Sequence, residues 1–304
     1  MGKNSKLEWK ITTQVRLDFE CRLTRQGIKN LVDLLQNFQQ NYRMSETVSF
    51  MNDSIRRIPI PEEIEVFWLY DSDAELKAHS AYSQAKAGDS KSALALISDI
   101  ALAEMYKHAD RFGRNCIFVS PFAREASGDN AIPQVLSEVF AVLCDATADK
   151  DIIQVTKVYH TGADPMERLA LRPEFEGSVL VGGQYVLVDD VTSLGGTLAE
   201  LAHYIQVNGG VVKDVAVIVN AGRNKSLRPD RKTVKTLKER FANDIIEIFG
   251  IQVDALTANE AQYLVGFRSA DEIRNRLLKA KEEVDLRLRS KGITGVFGTQ
   301  DSSA

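Results

Sequence analysis

The sequence predicts an α/β protein built on a mostly parallel sheet flanked by helices. From Asn115 onward, short apolar runs at Cys116–Val119, Ile152–Val155, Tyr185–Val188 and Val215–Val219, with a further candidate at Ile245–Ile248, are separated by longer polar-apolar stretches. Two of those stretches, Ile132–Leu143 and Leu198–Asn208, carry helical spacing. Buried parallel strands read as continuous apolar runs and need crossover helices between them, so this rhythm is that of βαβ units.

The segment before Asn115 reads differently. Leu7, Trp9, Ile11, Val15, Leu17 and Phe19 alternate with mostly polar neighbours, the period of a half-buried strand or hairpin. Ile28, Leu31, Val32, Leu35 and Phe38 fall at three- and four-residue spacing and predict an amphipathic helix. Ile64–Tyr70 is a strand candidate after Pro59 and Pro61, and Ala74–Ala109 predicts two helices broken at Ala87-Gly88-Asp89. The chain thus divides into three parts: an N-terminal α/β extension or hood over 1–110, a core over 111–255, and a C-terminal helical segment with a frayed tail over 256–304. In the last part, Thr257 and Glu260 stand at capping-box spacing, and Ala270–Arg289 is an amphipathic helix.

Composition narrows the function classes. The 304 residues can bury a sizeable core, and the apolar share of 44% and charged share of 26% are those of a globular protein. No window approaches the roughly eighteen consecutive apolar residues of a membrane helix, and the start has no apolar run of signal-peptide length, so a cytoplasmic protein is expected. A net charge of −4 gives no general attraction to nucleic acid. The basic run Arg223–Lys238 lacks interleaved aromatics and reads as a solvated helix face. Cys21, Cys116 and Cys144 are odd in number and widely spaced, which argues for reduced thiols rather than disulfides or a zinc site.

The stretch richest in chemistry is Tyr185-Val186-Leu187-Val188-Asp189-Asp190-Val191-Thr192-Ser193-Leu194-Gly195-Gly196-Thr197-Leu198. An apolar strand runs into two carboxylates, then a small hydroxyl- and glycine-containing loop, then a helix beginning near Thr197. A loop entering a helix offers unpaired N–H groups and the positive end of the helix dipole, which suits a phosphate. Gly195 and Gly196 allow close backbone approach, and Thr192, Ser193 and Thr197 add hydroxyl donors. Asp189 and Asp190 stand where open α/β sheets place ligand groups, able to accept from a ribose diol or to hold waters of a magnesium ion. Taken singly, each Asp also reads as a loop start and Gly-Gly as a turn. No Gly-Lys-Ser/Thr comes after, so this is not a Walker loop.

This pattern resembles the signature that binds phosphoribosyl pyrophosphate (PRPP) in type I phosphoribosyltransferases, and the whole is most like their competence-associated relatives. The resemblance implies a type I phosphoribosyltransferase fold. It also implies that Asp189 and Asp190 face the ribose as catalytic and water-bridged metal residues, and that Thr192, Ser193, Leu194, Gly195, Gly196 and Thr197 wrap the 5-phosphate. It places a pyrophosphate contact at Pro121, Phe122, Ala123 and Arg124, with Ser127, Gly128 and Asn130 shaping the helix entry beyond it. It further implies a lid carrying Lys157, His160, Arg168 and Arg172, Mg²⁺ as cofactor, and a homodimer. The expected reaction is phosphoribosyl transfer from Mg-PRPP to an unidentified nitrogenous acceptor. The alternatives are a non-catalytic PRPP or nucleotide sensor, or an interaction protein in a multi-component system such as competence or mobile-element defence.

Overall fold

The computed structural model describes residues 55–122, 124–125, 128–156 and 163–289. Contacts divide the chain into Met1–Thr47 and Val48–Ala304, and every described residue lies in the second unit. The strand and helix expected over 7–38, and the tail from 292, lie outside the described residues.

Five parallel strands form the sheet: β1 (Val66–Phe67), β2 (Cys116–Val119), β5 (Thr147–Ala148), β8 (Gln184–Thr192) and β9 (Val211–Asn220). Across the sheet their order is β1-β9-β8-β2-β5. The two long central strands are buried along most of their length, as their unbroken apolar runs require. Helix α7 (Gly196–Val207) crosses from β8 to β9 and packs Leu198, Leu201, Ala202 and Ile205 against Tyr185, Leu187, Val215 and Val217. On the other face lies α5 (Ile132–Cys144), where Phe140 stacks on Phe118 with ring centroids 5.3 Å apart and meets Phe67 and Phe112 edge-on. The mostly parallel sheet with flanking helices is therefore the fold the sequence predicts.

Several elements differ from their sequence reading. The apolar run Ile152–Val155 stays out of the sheet. Asp149 Oδ1 accepts from the N–H groups of Asp151 and Ile152, both at 2.9 Å, and turns the chain away. Beyond that turn, β6 (Ile153–Gln154) pairs antiparallel with β7 (Phe175–Glu176) as a separate ribbon. The sheet edge is taken instead by β5, two residues of no marked apolar character. A second ribbon joins β3 (Arg124–Glu125) to β4 (Gly128–Asp129).

Ile245–Ile248 is not a strand but lies inside α8 (Arg231–Phe249). Leu237, Phe241, Ile245 and Phe249 recur every fourth residue and are all buried, so the helical period over nineteen residues overrides a short apolar run. The run Ala74–Ala109 holds four helices rather than two: α1 (Ala74–Ala78), α2 (Tyr82–Lys86), α3 (Ser90–Ile100) and α4 (Leu102–His108). The predicted break at 87–89 is present, with Gly88 at φ +101° and Asp89 capping α3. Ile64–Tyr70 supplies only β1 and a single bridge from Tyr70 to Val219.

A second hydrophobic cluster joins α6 (Pro165–Ala170), α8, α9 (Ala258–Val265) and α10 (Ala270–Arg289). The capping box at Thr257 and Glu260 is formed at the start of α9, as the spacing predicts.

Candidate functional site

The site begins with the length of β8. The strand does not end at Val188 but carries Asp189, Asp190, Val191 and Thr192 in register with Val217 to Asn220 of β9. Successive residues of a strand face opposite sides. Tyr185 and Leu187 pack under α7, and Asp189 continues that face into the pocket beneath the loop. Asp190 turns to the other side, where its Oδ2 accepts from Asn130 Nδ2 at 3.0 Å and from Lys86 Nζ at 3.2 Å. Its Oδ1 accepts from Val191 N at 2.8 Å.

Environment separates the two carboxyls. Burial pushes Asp189 well above the usual carboxylate range, and the neighbouring charge of Asp190 adds to this. Asp190 is also buried, but the Lys86 charge and the Asn130 hydrogen bond outweigh burial and hold its pKa below the ordinary value.

After Thr192 the chain turns through Ser193 and Leu194, passes Gly195 at φ +82°, and enters α7 at Gly196, one residue earlier than predicted. Glycine is required at 195 because that backbone conformation disfavours any side chain. Thr192, Ser193, Leu194, Gly195, Gly196 and Thr197 all line one pocket, joined by Asp189, Arg168 and Arg172. Thr192 is itself buried, whereas Ser193 and Thr197 are partly open.

A buried ion network backs the loop. Arg56 is wholly inaccessible; its Nη1 lies 3.0 Å from Glu200 Oε1 and its Nη2 pairs with Glu260. Arg172 reaches Glu200 through two bonds, Nε to Oε1 at 2.6 Å and Nη2 to Oε2 at 2.9 Å. Its Nη1 donates to the carbonyls of Phe249 and Gly250 at 2.7 and 2.8 Å. Glu260 accepts from Thr257 N at 2.8 Å, and the Thr257 hydroxyl donates to the Leu194 carbonyl. The loop is thereby fixed from α7, α9 and the strand-like segment at Arg56.

The other predicted site residues are placed less fully. Pro121 is buried and Phe122 partly so, directly after β2. Ala123, Lys157 and His160 lie outside the described residues, and only the backbone of Arg124 is described, in β3. Arg168 donates from Nε to the Ala163 carbonyl at 3.1 Å. The structure thus brings Asp189, the loop 192–197, Arg168 and Arg172 together around one pocket. Asn130 has two roles at the helix entry, since its Oδ1 also accepts from Ile132 N at 3.2 Å. Sequence reading misses Lys86, Arg56, Glu200 and Gly222. Only Gly222 has a local signal, a glycine at the carboxyl end of a parallel strand.

The thiols Cys116 and Cys144 are free and buried, and desolvation pushes them up to about 11 and about 12. Among the described residues no helix is long and apolar enough to cross a membrane.

No family model matches the chain. Over 234 residues it is 36% identical to Protein TraN of Escherichia coli, a match covering 73% of this chain and 52% of that protein. Over 190 residues it is 28% identical to an uncharacterized protein of Haemophilus influenzae, covering 62% of this chain and 41% of that one. The chain spans about half the length, or less, of these curated relatives. Neither is named as a competence-associated transferase. Among solved structures it is similar to the adenine phosphoribosyltransferase of Thermoanaerobacter pseudethanolicus, at 14% identity over 43% of this chain and 84% of that one, with a TM-score of 0.29. It is also similar to that of Leishmania donovani, at 16% identity over 66% and 90%, with a TM-score of 0.31.

Proposed function

We propose that the pocket at the end of β8 binds the ribose 5-phosphate end of PRPP and that the protein transfers the phosphoribosyl group to a nitrogenous acceptor, releasing pyrophosphate. The observation that carries this reading is the loop itself. An acidic pair at the carboxyl end of a central parallel strand leads through hydroxyl residues and a left-handed glycine into a helix N-terminus. That arrangement offers a phosphate monoester converging N–H and O–H donors together with a helix dipole.

Each residue then has a role. The N–H groups and hydroxyls of 193–197 hold the phosphate, and Asp189 accepts from a ribose hydroxyl. Transfer at C1′ builds positive charge on the sugar, which the carboxylates stabilise without moving. Magnesium, when bound, neutralises the departing pyrophosphate. The metal would meet the chain through water at Asp189 and Asp190, of which Asp190 is the more engaged, accepting from Lys86, Asn130 and Val191 where Asp189 accepts from Asp190 N. A lid carrying Lys157 and His160, a cytoplasmic location and a homodimer belong to the same reading, but Arg168 and Arg172 do not sit on a lid: α6 packs Met166 and Leu169 into the second cluster, and Arg172 is held by Glu200 and the Phe249 and Gly250 carbonyls.

A non-catalytic PRPP or nucleotide sensor is the second reading. It is favoured by the engagement of Asp190 with Lys86 and Asn130 and of Arg172 with Glu200, which leaves the pocket better fitted to hold a phosphate than to drive a reaction.

Calorimetric titration with PRPP, with and without Mg²⁺, followed by pyrophosphate release across a panel of bases and amines, tests both. Turnover that disappears when Asp189→Asn and Asp190→Asn are combined supports the transferase. Binding without turnover supports the sensor, and no binding ends both.

A further inference from the structure

The pocket beneath the phosphate loop has a second wall, built from residues that precede β8. Arg168, Arg172 and Pro173 line it together with residues 191–198. They belong to α6 and the segment after it, and that helix is firmly seated. Pro165 opens it, and Asp164 Oδ1 caps it by accepting from Met166 N at 2.7 Å and Glu167 N at 3.0 Å. Met166 and Leu169 are buried in the second cluster, and Glu167 pairs with Arg287 of α10 at 3.0 Å.

Charge separates the three arginines of this pocket. Arg56 and Arg172 are matched by Glu200 and Glu260, and the carbonyls of Phe249 and Gly250 take Nη1 of Arg172. Those four side chains sum to zero, so the lining charges beyond them are Arg168 and Asp189. Arg168 is half-buried, and its Nε donates to the Ala163 carbonyl at 3.1 Å, which ties the guanidinium to the start of its own helix. A phosphate entering among the loop donors thus meets one cation outside the neutral network, presented by a fixed helix.

We propose that Arg168 binds the 5-phosphate, adding a guanidinium from α6 to the N–H and hydroxyl donors of the loop. This rests on the PRPP reading of the pocket and gives its phosphate subsite a charged residue. It departs from the lid role that the sequence resemblance implies. A helix N-terminus supplies only about half a unit of positive charge, so a phosphate dianion gains from a full cation beside it. The planar fork of arginine suits two oxygens of one phosphate and stays charged at every working pH.

The test is titration of the full chain, wild type, Arg168→Met and Arg168→Lys, with ribose 5-phosphate and with PRPP in metal-free buffer. Arg168→Met is expected to weaken both ligands by the same factor, about tenfold or more, as befits a lost charged hydrogen bond. It should also flatten the salt dependence of ribose 5-phosphate affinity, which loosened packing alone would not do. Arg168→Lys, which keeps the charge and loses the fork, should fall between the two. Unchanged ribose 5-phosphate affinity overturns the proposal. A greater loss for PRPP than for ribose 5-phosphate also overturns it, by assigning the arginine to the pyrophosphate, as does a wild type that binds PRPP but not ribose 5-phosphate. A wild type that binds neither removes the PRPP reading and the proposal together. Circular dichroism monitors folding, and Arg168→Gln, read by the same titration, replaces the Met variant if that one unfolds.

Discussion

Arg56 and Glu200 form an ion pair 3.0 Å long in which the arginine is entirely buried and the carboxylate 5% exposed. Two charges removed from water require further partners, and each has them: Arg56 in Glu260, Glu200 in Arg172. Two arginines and two glutamates make the network neutral, and it ties α7 to α9 behind the phosphate loop. Arg56→Met should therefore destabilise the fold by about 3–5 kcal/mol, because it strands Glu260 without a cation. Urea unfolding measures this. The double variant with Glu260→Gln should lose less than the single one, and an equal or greater loss would show that the pairing is not the source.

The two adjacent aspartates should respond to pH in opposite senses. Asp189 has its folded-state pKa raised, so folding takes up a proton and its contribution to stability is lost as pH rises through the raised value. Asp190 is depressed, so its contribution is present above the ordinary carboxylate pKa and lost as pH falls through the lowered one. At neutral pH, Asp189→Asn should stabilise the protein by about 1 kcal/mol, a gain that shrinks on acidification. Asp190→Asn should destabilise it by about 2 kcal/mol through the loss of its charged bond to Lys86. Denaturant midpoints at neutral and mildly acidic pH decide the matter, and equal signs for the two variants would contradict the assignment.

Gly222, in the turn after β9, presses on the phosphate loop from the side. A Cβ there would stand 2.8 Å from the Ser193 carbonyl oxygen and 2.5 Å from Asn259 Nδ2. Asn259 cannot yield easily, because its amide is bonded at both ends to the backbone of Asn224, at 2.8 and 2.9 Å. Gly222→Ala is expected to displace Ser193 and weaken ribose 5-phosphate binding by more than about tenfold, at a stability cost of about 1–3 kcal/mol. Unchanged affinity in a folded variant would mean that Ser193 does not contact the phosphate.

The features legible in the sequence are local. The loop 192–197, the helices after β2 and β8 and the Thr257 capping box each lie within one short window, where spacing and residue type carry the information. Lys86 and Arg56 escape because their partners are 104 and 144 or more residues away, and only the folded chain brings them together. Strand β5 escapes because two residues carry no period at all. Ile245–Ile248 misleads because three isoleucines within four residues fit a buried strand as well as one turn of a helix, and the stripe that begins at Leu237 decides between them.

Thr257 joins the C-terminal helices to the phosphate loop through one hydroxyl. It accepts from Glu260 N at 3.1 Å as the cap of α9 and donates to the Leu194 carbonyl. Valine at this position keeps the shape and removes both bonds. Loss of the cap should cost about 1–2 kcal/mol, read as a lower melting temperature. Freeing Leu194 should also loosen the backbone donors at 195–197, so ribose 5-phosphate affinity should fall severalfold beyond what Thr257→Ser causes, since serine restores the hydroxyl. If Thr257→Ser binds more weakly than Thr257→Val, packing of the Thr257 methyl group, 3.4 Å from where a Cβ at Gly195 would stand, is what holds the loop.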